Sequence, residues 1–310
     1  MATTTMQQES VLSFGAGLAC KIEDQEIPPL VPPFLQSAQL LGCADQTEVL
    51  EFLSGRPIHT VFMASLISDN GLVSPLNRGS FFGCRNENGR LEGVALIGHA
   101  TLMETESEEC IQAFAQVARD YPPAHLIRGE QQKVKSFWGH YAASNRAPRL
   151  LCSEHLLEHD SGPANFLAVP GLRQATLADL EQIVTINASM AFAESCTNPL
   201  TRDPKGFRER SARRINQDRN WVWIENGRVI FKADIIAETS DVIYLEGIYI
   251  DPEQRGKGYG LRCVSQLTHL LLARASTISL TVNEKFSDLQ AFYRKAGYKV
   301  FSRYDTIYLH

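Results

Sequence analysis

The stretch from Tyr244 to Gly260, YLEGIYIDPEQRGKGYG, constrains this chain more than any other. Tyr244, Leu245, Ile248, Tyr249 and Ile250 are β-formers in a nearly unbroken apolar run, the pattern of a strand covered on both faces. Asp251-Pro252 ends that strand, because proline has no N–H to offer a ladder. Arg255-Gly256-Lys257-Gly258-Tyr259-Gly260 follows, and Leu261 opens a helical pattern. Glycines let a backbone come close to a ligand, and the free N–H groups of a helix start favour an anion. The helix end contributes about half a positive charge, to which Arg255 and Lys257 add their own. The stretch suits a phosphate or pyrophosphate, although a plain strand–turn–helix whose glycines serve only the turn has the same pattern.

At 310 residues the chain has room for two ordinary domains. Charge divides it: residues 1–165 hold 11 Lys+Arg and 19 Asp+Glu, a net −8, and residues 166–310 hold 19 and 16, a net +3. A boundary near 165 is expected, with the anion-binding stretch in the more basic half. Neither half is basic enough for nucleic acid. No apolar run reaches the roughly 20 residues of a membrane span, and MATTTMQQES lacks the basic start and apolar core of a secretory signal. The seven cysteines are odd in number and contain no C-x-x-C pair, which argues against a disulfide framework and against a zinc site. A reducing cytoplasm is the expected setting.

In order along the chain, the four prolines of residues 22–35 predict an extended arm. Short helices are expected over 45–54 and 56–68, a hairpin turning at Asn86-Glu87-Asn88-Gly89, a helix over 107–119, a strand over 124–129 and a helix over 131–142. A strand over 149–157 and a linker over 160–165 close the first half. The second half reads as a helix from Thr176 to about Phe192, a loop over 193–205 and a basic helix over 206–217. A hairpin at Glu225-Asn226-Gly227-Arg228 and the strand over 241–250 follow. A helix over 258–274, a strand over 277–283, a helix over 287–296 and one or two strands over 298–309 complete it. The tetrapeptide Glu-Asn-Gly-Arg thus recurs at 87–90 and 225–228, each time at a hairpin turn. Downstream, HLIRGEQQKVKSFWGH parallels ISLTVNEKFSDLQAFYRKAGY as strand then helix, with Phe137-Trp138 where Phe292-Tyr293 stands. Matching element order favours a duplicated domain.

Arg255, Gly258 and Gly260, led in by Ile248 to Pro252, resemble the R/Q-x-x-G-x-G/A acetyl-CoA motif of the GCN5-related N-acetyltransferases (GNAT). The resemblance covers the second half, from its L-R-x-A-T-x-x-D-L opening to the tyrosine helix and the A-G-Y after it. The pair of halves, with the F-K-A segment at Phe231-Lys232-Ala233 and the W-G at Trp138-Gly139, is similar to bacterial tandem GNAT-like proteins. In those, a degenerate N-terminal domain precedes an intact one. The resemblance implies an α+β fold of two tandem GNAT-like domains, residues 1–165 and 166–310, each a mixed, mostly antiparallel sheet flanked by helices. In the first half the corresponding turn, METESEECIQAFAQVARDY, is acidic and free of glycine and should repel a pyrophosphate.

The resemblance further implies direct attack by an amine on acetyl-CoA in a ternary complex, without a metal. Backbone groups at Ile248, Tyr249 and Ile250 would take the pantetheine, and the N–H groups of Arg255, Gly256, Lys257, Gly258, Tyr259, Gly260 and Leu261 the pyrophosphate. A backbone N–H near Ile248 is the simplest oxyanion donor. Tyr293 stands at the position of the family's general acid. The family's asparagine at the start of that helix is replaced by Phe286, with Asn283 the nearest substitute. Glu246 is the expected base, on the parity of Ile248 and Ile250 and raised in pKa by its apolar strand. Glu194 and Asp203 are second choices. A small-molecule or protein amine is the implied acceptor, with no nucleic acid or membrane partner, in a monomer or homodimer. A non-catalytic acyl-CoA sensor and a phosphate-binding protein unrelated to CoA fit the same residues.

Overall fold

The computed structural model of the chain describes residues 37–121, 124–142, 147–162 and 166–310; the proline-rich arm lies outside them. Its first half contains β1 (Gln39–Leu40), α1 (Gln46–Ser54), α2 (Pro57–Asn70), β2 (Gly79–Arg85), β3 (Leu91–Gly98), β4 (Ala100–Thr105), α3 (Glu108–Arg119), β5 (Leu126–Glu130), α4 (Gln131–Tyr141) and β6 (Leu150–His159). The second contains β7 (Leu172–Gln174), α5 (Leu180–Ser195), α6 (Pro199–Arg202), α7 (Pro204–Asn216), β8 (Asn220–Glu225), β9 (Arg228–Glu238) and β10 (Val242–Ile250). It ends with α8 (Tyr259–Leu271), β11 (Thr277–Asn283), α9 (Ser287–Lys295) and β12 (Lys299–Tyr308).

The local reasons are ordinary. In α3, Ser107 caps the first turn by accepting from the Cys110 N–H, and Glu108 and Glu109 meet the positive helix end. Its apolar face, Cys110, Ile111, Phe114 and Ala118, is buried. The two copies of Glu-Asn-Gly-Arg build different turns. Asn226 and Gly227 both have positive φ and close a two-residue hairpin with Glu225 opposite Arg228. In the first copy only Gly89 is positive, and the Asn86 N–H reaches the Arg90 carbonyl.

The sheet runs β1-β2-β3-β4-β5-β12-β6-β11-β10-β9-β8-β7. It is mixed and mostly antiparallel, with parallel pairs β4–β5 and β10–β11. Helices flank it, as the sequence predicts. Two separate sheets are not what forms. Each half lends its last strand to the other: β12 pairs with β5, β6 pairs with β11, and the two exchanged strands pair antiparallel with each other over nine residues, from Lys299↔Glu158 to Tyr308↔Leu150. The exchange leaves no edge between the halves.

One face of the sheet is covered by a helix pair from each half. Phe114 of α3 and Phe137 of α4 pack with Ile127 and Ile307; Leu267 of α8 and Tyr293 of α9 pack with Phe231, Leu245 and Leu280. On the other face α2 lies across both halves. Val61 packs with Leu156, Val242 and Tyr244, the Glu238 N–H donates to Ser65 Oγ at 3.0 Å, and Asp69 pairs with Arg219 of the second half. On that face α5 and α7 cover β8 through Ile183, Val184 and Ile215.

Candidate functional site

Pairing between β10 and β11 stops at Leu245↔Leu280, while β11 continues alongside β6 to Asn283. The two strands therefore part, and the β11-facing backbone groups beyond Leu245 have no strand partner. On its other side β10 breaks register against β9 between Glu246 and Tyr249. Gly247 makes the break, with φ +59°. An added Cβ there would stand 2.8 Å from both Asp234 Oδ2 and Lys232 Nζ.

The bulge corrects the expected parity. Ile248 and Ile250 pack with Leu245 against the α8–α9 core, whereas Glu246 faces the opposite side with Tyr244. One extra residue in a strand exchanges its faces beyond that point. Glu246 is also no isolated carboxylate in an apolar strand. Its Oε1 accepts from Arg128 Nη1 at 2.9 Å. Arg128 comes from β5 of the first half and donates as well to Tyr244 Oη at 2.6 Å and Thr281 Oγ1 at 2.7 Å. Glu154 of β6 stands 3.7 Å away and accepts from Thr281 and Thr306.

Near this centre the carboxyl of Glu194, at the end of α5, is pushed above its ordinary value. Partial desolvation does so first, then the like charges of Glu246 and Glu154. Tyr308 Oη donates to Glu194 Oε1 at 3.2 Å. Asp203, the other second choice, caps α7 through the Gly206 N–H and pairs with Arg210 at 3.0 Å, which holds its carboxyl below the usual range. It serves a helix end, not this centre.

The glycine loop lies below the parting strands. Asp251 ends β10, buried and paired with Arg228, and Gly256 and Gly258 take φ +76° and +79°. Arg262 makes the first intrahelical bond of α8, to the Gly258 carbonyl, so the N–H groups of Tyr259, Gly260 and Leu261 precede it. Gly260 lets the helix close on the strand, since a Cβ there would meet Ile250 at 3.2 Å and Phe292 at 3.4 Å. Tyr259 stacks edge-on against Trp223 and Leu261 packs against the core. The two cations point along the loop surface: Arg255 Nε donates to the Ile250 carbonyl and Lys257 Nζ to Gln254. Tyr249 stands opposite Lys232 across β9, and burial raises its phenol.

Tyr293 is 5% exposed, between Phe292 and Tyr298, and burial holds its hydroxyl well above the ordinary value, protonated at neutral pH. Asn283 is a turn residue: its side-chain oxygen accepts from the Lys285 N–H at 2.9 Å. The structure thus gathers Ile248, Ile250 and Tyr293 in one cluster on the α8–α9 side of β10, leaves Glu246 on the other face, and adds Arg128, Glu154 and Tyr308 beside it, which the sequence did not single out. Arg128 and Glu154 carry no local signal, because strand exchange alone brings them here. Gly247 did carry one, as a glycine inside a strand pattern.

These backbone features fit acetyl-CoA: unpaired strand groups for an extended pantetheine amide chain, and a helix start lined by glycines for a pyrophosphate. The first half repeats the parting strands, since β4 and β5 pair only as far as Thr101↔Ile127, but α3 starts on Ser107, Glu108 and Glu109 with no glycine. Its parting strands end in Glu104, Glu106 and Glu130, bound to Arg56 and Lys133 at 2.8–2.9 Å.

Comparison with known proteins agrees with this geometry. Residues 187–298 match the acetyltransferase (GNAT) family model, which ends one residue before the exchanged strand β12. No curated protein matches the chain. Among solved structures, a Drosophila protein has a TM-score of 0.65 at 11% identity, over 89% of this chain and 99% of its own. A tandem GNAT protein from the clavulanic acid biosynthesis pathway has 0.55 at 12%, over 87% and 96%. A GNAT-family acetyltransferase from Colwellia psychrerythraea has 0.53 at 13%, over 88% and 100%. At these identities the likeness is one of fold.

Proposed function

We propose that this chain, whose residues 187–298 match the acetyltransferase (GNAT) family model, transfers an acyl group, acetyl in the simplest case, from acyl-CoA to an amine. The observation that carries the proposal is the slot between β10 and β11. It opens where the pairing stops at Leu245 and leads to the glycine start of α8. Acyl-CoA supplies the activated carbonyl; the chain supplies position and protons. The bulge at Gly247 frees backbone donors at the depth where a thioester oxygen would gather charge. Tyr293, on the α9 side of the slot, keeps its proton and serves as donor to the departing thiolate.

On the opposite side, Glu154, Glu194 and Glu246 face one another around Arg128. Three carboxylates against one guanidinium leave an excess of negative charge, which favours a protonated amine on arrival. Glu194 is the better base. Its carboxyl is raised above the ordinary value by desolvation and by Glu246 and Glu154, and its side chain accepts from Tyr308, whereas Glu246 is paired with Arg128.

The test is turnover of acetyl-CoA against a panel of amines, followed by CoA release, with Tyr293→Phe alongside. Transfer is expected, with kcat down about a hundredfold or more in the variant and the affinity for acetyl-CoA little changed. Tight CoA binding with no transfer to any amine would assign an acyl-CoA-sensing role instead. Affinity no greater than that for simple phosphate would remove the CoA reading.

A further inference from the structure

Beside the carboxylate cluster lies a cluster of the opposite sign. His99 and His125 stack with ring centroids 5.0 Å apart, at the ends of β3 and β5. Arg202 of α6 donates to His125 Nδ1 at 3.3 Å. Arg149, leading into β6, lies 5.5 Å from the centroid of the Tyr308 ring. Its Nη1 donates to the Ser195 carbonyl, and its Nη2 is buried with no partner. Arg78 and Arg210 complete the group. Against these four guanidinium groups and two imidazoles the nearby carboxylate is Asp203, already paired with Arg210 at 3.0 Å. Among the described residues, Arg78 and Arg202 have no carboxylate within salt-bridge distance.

The unrelieved positive potential shows in the titrations. Burial first, and then the neighbouring arginines, lower His99 to about 3. Arg78, a group that rarely gives up its proton, is itself lowered by burial and by Arg210 and Arg202. Four guanidinium groups served by the single carboxylate of Asp203 leave room for a further anion.

Tyr308 joins the two clusters. Its hydroxyl reaches Glu194, its ring edge meets His125 at 5.9 Å, and Arg149 lies over its face. One tyrosine side chain therefore separates the pole that favours an amine from the pole that favours an anion. We infer that the acceptor is an amine carrying an anionic group, a carboxylate or a phosphate, with its nitrogen toward Glu194 and Glu246 and its anion held by Arg149, Arg202 and Arg78. The inference rests on the amine-acetylating reading above and names the substrate class for that site. Guanidinium groups suit either anion, because the planar fork matches both.

The experiment compares matched acceptors with the full chain and acetyl-CoA. One arm uses ω-amino acids of increasing chain length, each against its amide; the other uses aminoalkyl phosphates against the corresponding amino alcohols. An acid-bearing acceptor is expected to exceed its neutral counterpart at least tenfold in kcat/KM, and the better arm identifies the anion. In Arg202→Gln that ratio is expected to fall at least tenfold, and Arg202→Lys is expected to restore part of it. Arg202 is solvent-exposed, and an unchanged melting temperature will verify that the variants fold. Equal use of acid and neutral acceptors, or a ratio untouched in Arg202→Gln, would overturn the inference and leave the transferase reading standing. Absence of transfer to every amine would remove that reading, and this inference with it.

Discussion

Arg128 Nη1, on β5 of the first half, lies 2.9 Å from Glu246 Oε1, on β10 of the second. The contact ties the half with no cofactor loop to the strand that would carry the cofactor. It exists because β12 and β6 change places, which joins the strands of both halves into one sheet instead of two. The first half is therefore part of the site. It supplies the guanidinium that fixes Glu246 and, through β6, the carboxylate of Glu154.

Replacing Arg128 should be severe. The side chain is 15% exposed, with Glu246, Tyr244 and Thr281 as partners and Glu154 close by. Arg128→Met leaves two carboxylates facing each other without a cation; because Glu246 is 38% exposed, the cost is expected below the roughly 3–5 kcal/mol of a fully buried pair. Urea unfolding of the variant should show that loss. Arg128→Lys keeps the charge but cannot span the same partners, and should fall between the two. A Met variant as stable as the parent would mean that the pair is not formed in solution.

The two candidate bases separate by pH. A carboxylate that must be ionised to accept a proton works above its pKa and fails below it. Desolvation, Glu246 and Glu154 raise Glu194, so kcat/KM should decline on the acid side at a pH above the ordinary carboxylate range. Glu194→Gln should lower kcat tenfold or more and abolish that limb. Glu246→Gln removes a like charge from Glu194, so it should keep the limb and move it to lower pH. Loss of the limb in Glu246→Gln, with its retention in Glu194→Gln, would reverse the assignment.

What the sequence conveyed was whatever is local. The strand over 241–250, the glycine loop and the tyrosine helix are each specified within a few residues, and each formed where expected. The loop predicted over 193–205 contains the short helix α6 and the start of α7, each opened by a proline at its first position. Non-local pairing was not legible. An alternating or apolar strand such as β6 specifies a buried face but not a neighbour, so the exchange of β6 and β12 left no mark on either sequence. The misplaced parity of Glu246 has a different origin. Gly247 sits inside a nearly unbroken apolar run, and a bulge at that one residue reverses every side chain beyond it.

Gly247 offers a direct check of that bulge. Alanine there must adopt φ +59° and place its methyl carbon 2.8 Å from both Asp234 Oδ2 and Lys232 Nζ, which are almost wholly enclosed beneath it. Strain of this kind costs on the order of 1–3 kcal/mol, and the cheapest relief is to flatten the bulge and restore pairing. Gly247→Ala should therefore lose stability in that range and also bind CoA at least tenfold more weakly by calorimetry. Wild-type CoA affinity in the variant would show that the freed backbone groups at 247–248 are not used.

His59 predicts how the fold responds to acid. It is buried on α2, with Nδ1 2.8 Å from Tyr304 Oη and Nε2 3.7 Å from Glu130. Desolvation lowers it to about 4; Glu130 and Glu106 oppose the shift, and Arg56 and Lys133 reinforce it. Between pH 6.5 and 4 the unfolded chain then binds a proton that the folded chain refuses. Stability is complete above about 6.5 and falls as pH drops toward 4, by roughly 3 kcal/mol from this group. Glu130, lowered to about 2, adds a loss in the same direction only below the ordinary carboxylate value. Urea unfolding between pH 6.5 and 4.5 should accordingly give a shallower slope for His59→Asn than for the parent. Parallel slopes would mean that His59 is already charged in the folded protein, and that Glu130, not Tyr304, determines its state.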